Sequence, residues 1–307
     1  MQTQFDGAMT SMQAIMLASA LALVPATLPS APALAQGSPI KVEYVTPKNP
    51  RLVPLRQRLM ERKVLEELAE FVSPLKFKRE LTFTTVQCDT VNAFYSPGEQ
   101  KLKMCYEFVE DLHKSLIPFL DGTFKLPNGE IIKPNITGVT RGEAVVGTFV
   151  GVIMHELGHA VNDIQDIPIL GKEEDAADQF SSFLMVQFGP DLARTAIKGT
   201  ALYWDLSAQT WDWGIRAGKV KHHYFHDEHS LSAQRMFNVL CVAYGRYADA
   251  FQDLVDQGLL PRARAQNCGS EYKRIEHAFL KTVMPQIDRK KMEEVRGKTW
   301  LRPDELK

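Results

Sequence analysis

The chain has 307 residues, of which 45% are apolar, and its formal net charge is -1 at pH 7. This length and apolar content suffice to bury one ordinary core or two small lobes. The near-neutral charge argues against a surface that binds nucleic acid, because such surfaces are strongly basic.

The N-terminus predicts a signal peptide over residues 1–35. Residues 14–24 form an apolar run too short to span a bilayer comfortably, and Ala33-Leu34-Ala35 supplies the small residues of a cleavage site. No Lys or Arg precedes the run, so Met9 or Met12 is an alternative start. The rest of the chain reads as lacking an apolar stretch of about 18 residues, so we expect a soluble, periplasmic or secreted mature protein without stable membrane insertion.

Alternating apolar residues and turn signals predict a small sheet early in the mature chain. Strands are predicted at residues 40–45, 81–87, 91–95 and 101–106, and helices at residues 53–71 and 108–120. Residues 122–138, which contain Pro-Asn-Gly and Pro-Asn, read as a loop or hairpin. From Thr148 onward the pattern is mostly helical.

The sequence His155-Glu156-Leu157-Gly158-His159 carries the strongest chemical signal. The preceding residues 143–154 have apolar residues at helical spacing, and residues 162–168 supply a stop, so the motif falls on a helix. On a helix, His155 and His159 lie one turn apart and can bind one Zn²⁺. Zinc lowers the pKa of its water to about 7, and Glu156 is suited to accept the proton. The implied reaction is hydrolysis of a carbonyl bond.

A catalytic zinc site usually takes a third protein ligand. The positions that metzincins use for this purpose hold Asn162 and Gln165, which closes that route. Glu174 on the next predicted helix is favoured, because Asp178, four residues later, can hydrogen-bond the outer nitrogen of a ligating histidine. Glu173 is the rival ligand, but it has no carboxylate four residues later.

The pattern H-E-x-x-H followed by E-x-x-x-D resembles that of the gluzincin metallopeptidases. Asn92-Ala93-Phe94-Tyr95 is similar to the edge strand on which thermolysin-like enzymes lay their substrate. Residues 227–238 and 260–268, with Cys241 and Tyr244-Gly245, resemble a bacterial family of secreted candidate metallopeptidases. Together these similarities span most of residues 80–275.

This resemblance implies an α+β, two-lobed zincin-like fold. An N-terminal lobe over residues 36–165 would hold a mixed sheet and the zinc helix, and a helical C-terminal lobe over residues 166–307 would supply the third ligand. A peptide would pair with the edge strand Asn92 to Tyr95. His229, with Asp227 nearby, would steady the oxyanion, and Arg235 is the alternative.

Four cysteines fit an oxidising compartment, and three pairings are possible. The local pairs Cys88 with Cys105 and Cys241 with Cys268 are favoured, because a crossed pattern would have to tie the two lobes together. No C-x-x-C spacing supports a cysteine metal site.

These observations predict a secreted zinc peptidase that hydrolyses peptide bonds with a zinc-activated water and Glu156 as general base. Its partners would be peptide or protein substrates and not nucleic acid. The alternative is a catalytically degenerate zincin that binds an envelope protein or the cell wall, although such a module has no need to keep Glu156. A purely structural zinc domain would require a fourth protein ligand.

Overall fold

A small mixed sheet precedes a mostly helical region in the computed structural model, which describes residues 40–210, 226–296, 298 and 300. Within those residues the strands are β1 Ile40–Tyr44, β2 Leu81–Val86, β3 Ala93–Ser96 and β4 Lys101–Cys105. Their order is β1-β2-β4-β3; β2 is parallel to β1 and β4, whereas β3 pairs antiparallel with β4. The predicted α+β class is confirmed. The predicted signal peptide lies outside the described residues, and the lobe boundary stays a prediction.

Helices occupy most of the remaining described chain. They are α1 Val53–Glu61, α2 Val64–Phe71, α3 Tyr106–Asp111, α4 Ile117–Leu120, α5 Arg141–Gln165, α6 Glu173–Met185, α7 Pro190–Thr210, α8 Ser232–Arg246, α9 Gln252–Asp256, α10 Arg262–Thr282 and α11 Arg289–Arg296. A π-helical segment, Leu112–Leu116, joins α3 to α4. This helical continuity agrees with the helix predicted at residues 108–120.

The single helix predicted over residues 53–71 is divided in the structure. Lys63, with φ of 49°, adopts the left-handed conformation between α1 and α2 and so changes the direction of the chain. Leu65 and Leu68 of α2 are fully buried, and Leu55 and Leu59 of α1 are buried in the same hydrophobic core. An amphipathic pattern alone does not reveal such a break, because both halves have helical spacing.

Helix α5 is the central helix of the core. It begins at a capping box, in which Thr140 accepts from the Glu143 N–H and the Glu143 carboxylate accepts from the Thr140 N–H. An 18-residue window of α5 has a mean hydropathy of 1.4, so the expectation that no such apolar stretch exists is wrong. That window is 78% buried inside the protein, as in the core helix of a soluble protein.

Glycines allow two neighbouring helices to approach α5 closely. A Cβ on Gly147 would lie 2.9 Å from the Gly199 Cα of α7, and a Cβ on Gly158 would lie 2.9 Å from the Ala177 Cα of α6. Both distances are too short for real Cβ contacts, so neither glycine can gain a side chain without backbone movement. The glycine within the H-E-x-x-H motif therefore allows α6 to lie this close to the turn of α5 that carries the two histidines.

The four cysteines, all within the described residues, form the two predicted local disulfides. Cys88 bonds to Cys105 and Cys241 bonds to Cys268. The first encloses the segment that contains β3, and the second joins α8 to α10. Each bridge therefore fixes two neighbouring pieces of the chain.

Candidate metal centre

His155 and His159 of α5 meet Glu174 of α6 at one buried point. Glu174 Oε2 lies 3.0 Å from His155 Nε2 and 3.5 Å from His159 Nε2, and the two Nε2 atoms are 3.2 Å apart. The three residues form a group whose potential ligand atoms all lie within 4.8 Å of one another. Two imidazoles and one carboxylate are a donor set that suits a catalytic Zn²⁺.

A carboxylate lies against the outer nitrogen of each histidine. Asp178 Oδ1 is 2.8 Å from His155 Nδ1, the contact that the spacing of Glu174 and Asp178 predicts. Glu173 Oε1 is 3.0 Å from His159 Nδ1. Glu173, the rival ligand of the sequence analysis, thus lies behind the ring instead of on the metal-facing side. Such outer carboxylates fix the tautomer and orientation of a ligating imidazole.

Arg235 of α8 lies behind His155. Its guanidinium donates two hydrogen bonds of 2.6 Å to the two carboxylate oxygens of Asp178. The side chain is 7% exposed, and its charged end stacks over the ring of Trp204 at 3.7 Å. The pKa of Asp178 is lowered, because His155 and Arg235 outweigh the effect of burial, which raises it. Arg235 is therefore committed to holding Asp178.

Glu156 is buried beside the edge strand β3. Its Oε2 accepts a hydrogen bond of 2.8 Å from the backbone N–H of Tyr95. The Tyr95 hydroxyl donates to Asp163 Oδ2 at 2.7 Å, on the same helix as Glu156. Burial raises the pKa of Glu156, against the lowering effects of both histidines and the Tyr95 N–H. The structure thus brings the proposed general base into contact with the proposed substrate strand.

The outward N–H groups of β3 both have acceptors. Tyr95 is opposite Leu102 of β4, and the Tyr95 N–H points away from that strand to Glu156. The Ala93 N–H donates to the side-chain oxygen of Asn92 at 2.9 Å. Phe94 faces Lys103, whose ammonium lies 5.4 Å from the ring centre.

His229, in the loop before α8, lies close to the Glu174 carboxylate. Its Nε2 lies 3.0 Å from Glu174 Oε2, and its Nδ1 lies 3.0 Å from Asp227 Oδ1. The side chain is 49% exposed, whereas those of His155 and His159 are 10% and 16% exposed. The sequence holds three other histidines in this segment; His226 is described, and His222 and His223 lie outside the described residues.

The surroundings of Glu174 Oε2 show whether the site suits a cation. This oxygen is buried and has no hydrogen-bond partner of good geometry among the described residues, although three imidazole nitrogens surround it. Burial opposes ionisation, yet these imidazoles hold the pKa of Glu174 well below its usual range. Burial lowers the pKa of His159, but Glu174 and Glu173 outweigh it and raise that pKa to about 9. An ionised oxygen without such a partner, facing inward-turned imidazoles, fits a divalent cation.

Sequence reasoning missed two parts of this arrangement. The support of His159 by Glu173 depends on how the connection between α5 and α6 orients the first turn of α6. The stacking of Arg235 on Trp204 depends on the packing of α8 against α7. The available signal for Glu173 was an acidic residue directly before the predicted ligand. No local pattern indicated the contact between Arg235 and Trp204.

Comparison with known families supports a metallopeptidase relationship. Residues 44–282 match the model of the family DUF4344, described as "Putative metallopeptidase". The match covers more than half of the chain and includes every residue of the candidate centre. No curated protein and no solved structure matches significantly.

Proposed function

From the premise that the chain belongs to this metallopeptidase family, we propose that it is a secreted, zinc-dependent peptidase of gluzincin type. The observation that carries the proposal is the buried Glu174 Oε2, which faces the Nε2 atoms of His155 and His159. Imidazole and carboxylate ligands in this number suit zinc, and a catalytic site leaves a further position open.

In this proposal His155, His159 and Glu174 hold the metal. A bound zinc ion supplies Lewis acidity, which lowers the pKa of water and polarises a peptide carbonyl. Asp178 and Glu173 keep the two imidazoles turned inward, since each occupies an outer Nδ1.

Glu156 accepts the proton from the attacking water and later passes a proton to the leaving amine. Its carboxylate is oriented by the Tyr95 N–H, and a substrate peptide lies along β3. His229 is the group that steadies the oxyanion, because its half-exposed ring lies beside Glu174 and Asp227 holds its outer nitrogen. Arg235 is the weaker candidate for this role, because two of its three guanidinium nitrogens, Nε and Nη2, already donate to Asp178.

Secretion is the second part of the proposal. It is supported by the two disulfides, since such bonds persist in oxidising compartments outside the cytosol. Sequencing the N-terminus of the exported protein tests it. Cleavage after Ala35 is expected, and a protein retained uncleaved in the cytosol would contradict secretion.

The decisive experiment for activity is digestion of peptide libraries by the purified, zinc-loaded protein, read by mass spectrometry. Glu156→Gln should retain one zinc per chain while cleavage falls by roughly two to four orders of magnitude, the usual scale for acid–base participation. The matched control is Glu43→Gln, which alters an exposed carboxylate paired with Lys101 on the sheet.

Undiminished cleavage by Glu156→Gln would exclude this mechanism. If the zinc-loaded wild-type protein cleaves no library, the alternative of a non-catalytic binding module would replace the peptidase proposal.

A further inference from the structure

Tyr95 fastens the edge strand β3 to α5 at two points. Its backbone N–H donates to Glu156 Oε2 at 2.8 Å, and its hydroxyl donates to Asp163 Oδ2 at 2.7 Å. Glu156 and Asp163 are seven residues apart, so they lie two turns from each other on one face of the helix. One residue of the strand therefore spans two turns of the helix that carries the proposed base.

The hydroxyl contact is itself anchored. Asp163 Oδ2 also accepts from Arg79 at 3.0 Å, and Arg79 lies just before β2. The beginning of β2, the end of α5 and the middle of β3 thus meet at this carboxylate. A shift of β3 along α5 would break the Tyr95 contact with Asp163 and move the Tyr95 N–H away from Glu156.

We propose that the Tyr95 hydroxyl is a positioning group, which through Asp163 sets the register of β3 against α5. The proposal rests on the proposed function, in which a peptide pairs with β3 while Glu156 acts on it. The register of the strand then determines which peptide bond lies within reach of the Glu156 carboxylate. Neither the Tyr95 hydroxyl nor Asp163 touches the reacting atoms in this account.

Solvent exposure separates this role from a simple stabilising one. The Asp163 and Arg79 side chains are 36% and 43% exposed. Exposed pairs of this kind contribute little to the free energy of unfolding. The hydrogen bond between the Tyr95 hydroxyl and Asp163 is also exposed. Its loss should therefore change the alignment of β3 much more than the free energy of unfolding.

The opposite edge of the sheet provides a matched control. Tyr44 of β1 donates its hydroxyl to Glu66 of α2 at 2.6 Å, and so also joins an edge strand to a helix carboxylate. Burial and the hydrogen-bonded carboxylate raise the pKa of both tyrosines. Tyr44→Phe removes this hydrogen bond, together with the one that the Tyr44 hydroxyl accepts from the Leu65 N–H, without touching β3.

The first test measures peptide cleavage by the zinc-loaded proteins Tyr95→Phe, Asp163→Ala, their double variant and Tyr44→Phe. Tyr95→Phe should lower kcat roughly tenfold with little change in KM, because small misplacements of catalytic groups have effects of this size. The double variant should lose no more activity than either single variant, because each single substitution removes the same contact. Zinc content and Tm should stay at the wild-type values.

Hydrogen exchange of the β3 amides provides a second test that needs no peptidase activity. Protection of residues 93–96 should fall roughly tenfold in Asp163→Ala and remain unchanged in Tyr44→Phe. A wild-type kcat in Tyr95→Phe, losses that multiply in the double variant, or unchanged β3 protection would overturn the proposal. Failure of the proposed function is distinguishable, because it appears as an inactive wild-type protein whatever the exchange result.

Discussion

The two halves of α5 use the same close helix packing for different purposes. In the first half Gly147 faces Gly199 of α7, and the contact is between backbones. In the second half Gly158 faces Ala177 of α6, three residues beyond Glu174, and the contact brings α6 to the histidines. Close packing in the first half builds the core, whereas in the second half it also sets the distance between candidate ligands.

Residues that stabilise the fold and residues of the candidate site thus occupy different halves of α5. At the N-terminal end of α5, Thr140 and Glu143 satisfy backbone hydrogen-bond donors of the helix terminus. The polar groups of the second half, His155, Glu156 and His159, are buried or partly buried and turn towards α6 and β3. Substitutions in the two halves should therefore differ in what they change.

The largest expected effect is the loss of metal on removal of a ligand from the second half. Wild-type protein should contain one zinc per chain, whereas His159→Ala and Glu174→Gln should contain little, because two remaining ligands hold zinc poorly. Metal analysis of the purified proteins measures this, with His277→Ala of α10 as the control. Retention of a full equivalent of zinc in His159→Ala would refute the ligand assignment.

A smaller effect is expected behind the ligands. Asp178→Asn should weaken zinc binding on the order of ten- to a hundredfold, because the His155 ring loses its fixed orientation. Glu173→Gln should have a weaker effect on His159, since its side chain is 55% exposed and so more screened by solvent. Competition with a zinc chelator measures both affinities. Asp253→Asn, which removes an acid–arginine pair with Arg194, is the control and should leave zinc affinity unchanged.

The smallest effect, and the sharpest comparison of the two halves, comes from one methyl group. Gly147→Ala should lower the free energy of unfolding by about 1–3 kcal/mol, because its Cβ meets the backbone of α7. Gly158→Ala should in addition weaken zinc binding, since α6 must move away from α5. Gly269→Ala of α10 has nothing within 4 Å of its Cβ and is the control. If Gly147→Ala and Gly158→Ala both fold and bind zinc with equal affinity, the two halves of α5 do not differ in their effect on the candidate site.

Periodic features of the fold were predictable from sequence. Helical spacing placed His155 beside His159, and the spacing of Glu174 and Asp178 gave a contact between Asp178 and the outer nitrogen of His155. Alternation of apolar residues located all four strands to within a few residues.

Features that arise from packing between distant segments were not predictable. The Lys63 break depends on which faces of α1 and α2 meet the core, and the stacking of Arg235 on Trp204 joins helices that are separate in sequence. The contact between the Tyr95 N–H and Glu156 depends on the placement of β3 beside α5. Spacing rules act within an element and carry no information about such approaches.

The outer edge of β3 also bears on how copies of the chain behave at high concentration. An exposed edge strand with free N–H groups is a template for aggregation through strand addition. Here the Ala93 N–H donates to Asn92 and the Tyr95 N–H donates to Glu156. A chain that approaches at random meets donors already in use, so sheet extension requires both hydrogen bonds to break. The outer edge of β3 is thus protected against pairing with a second copy of the chain.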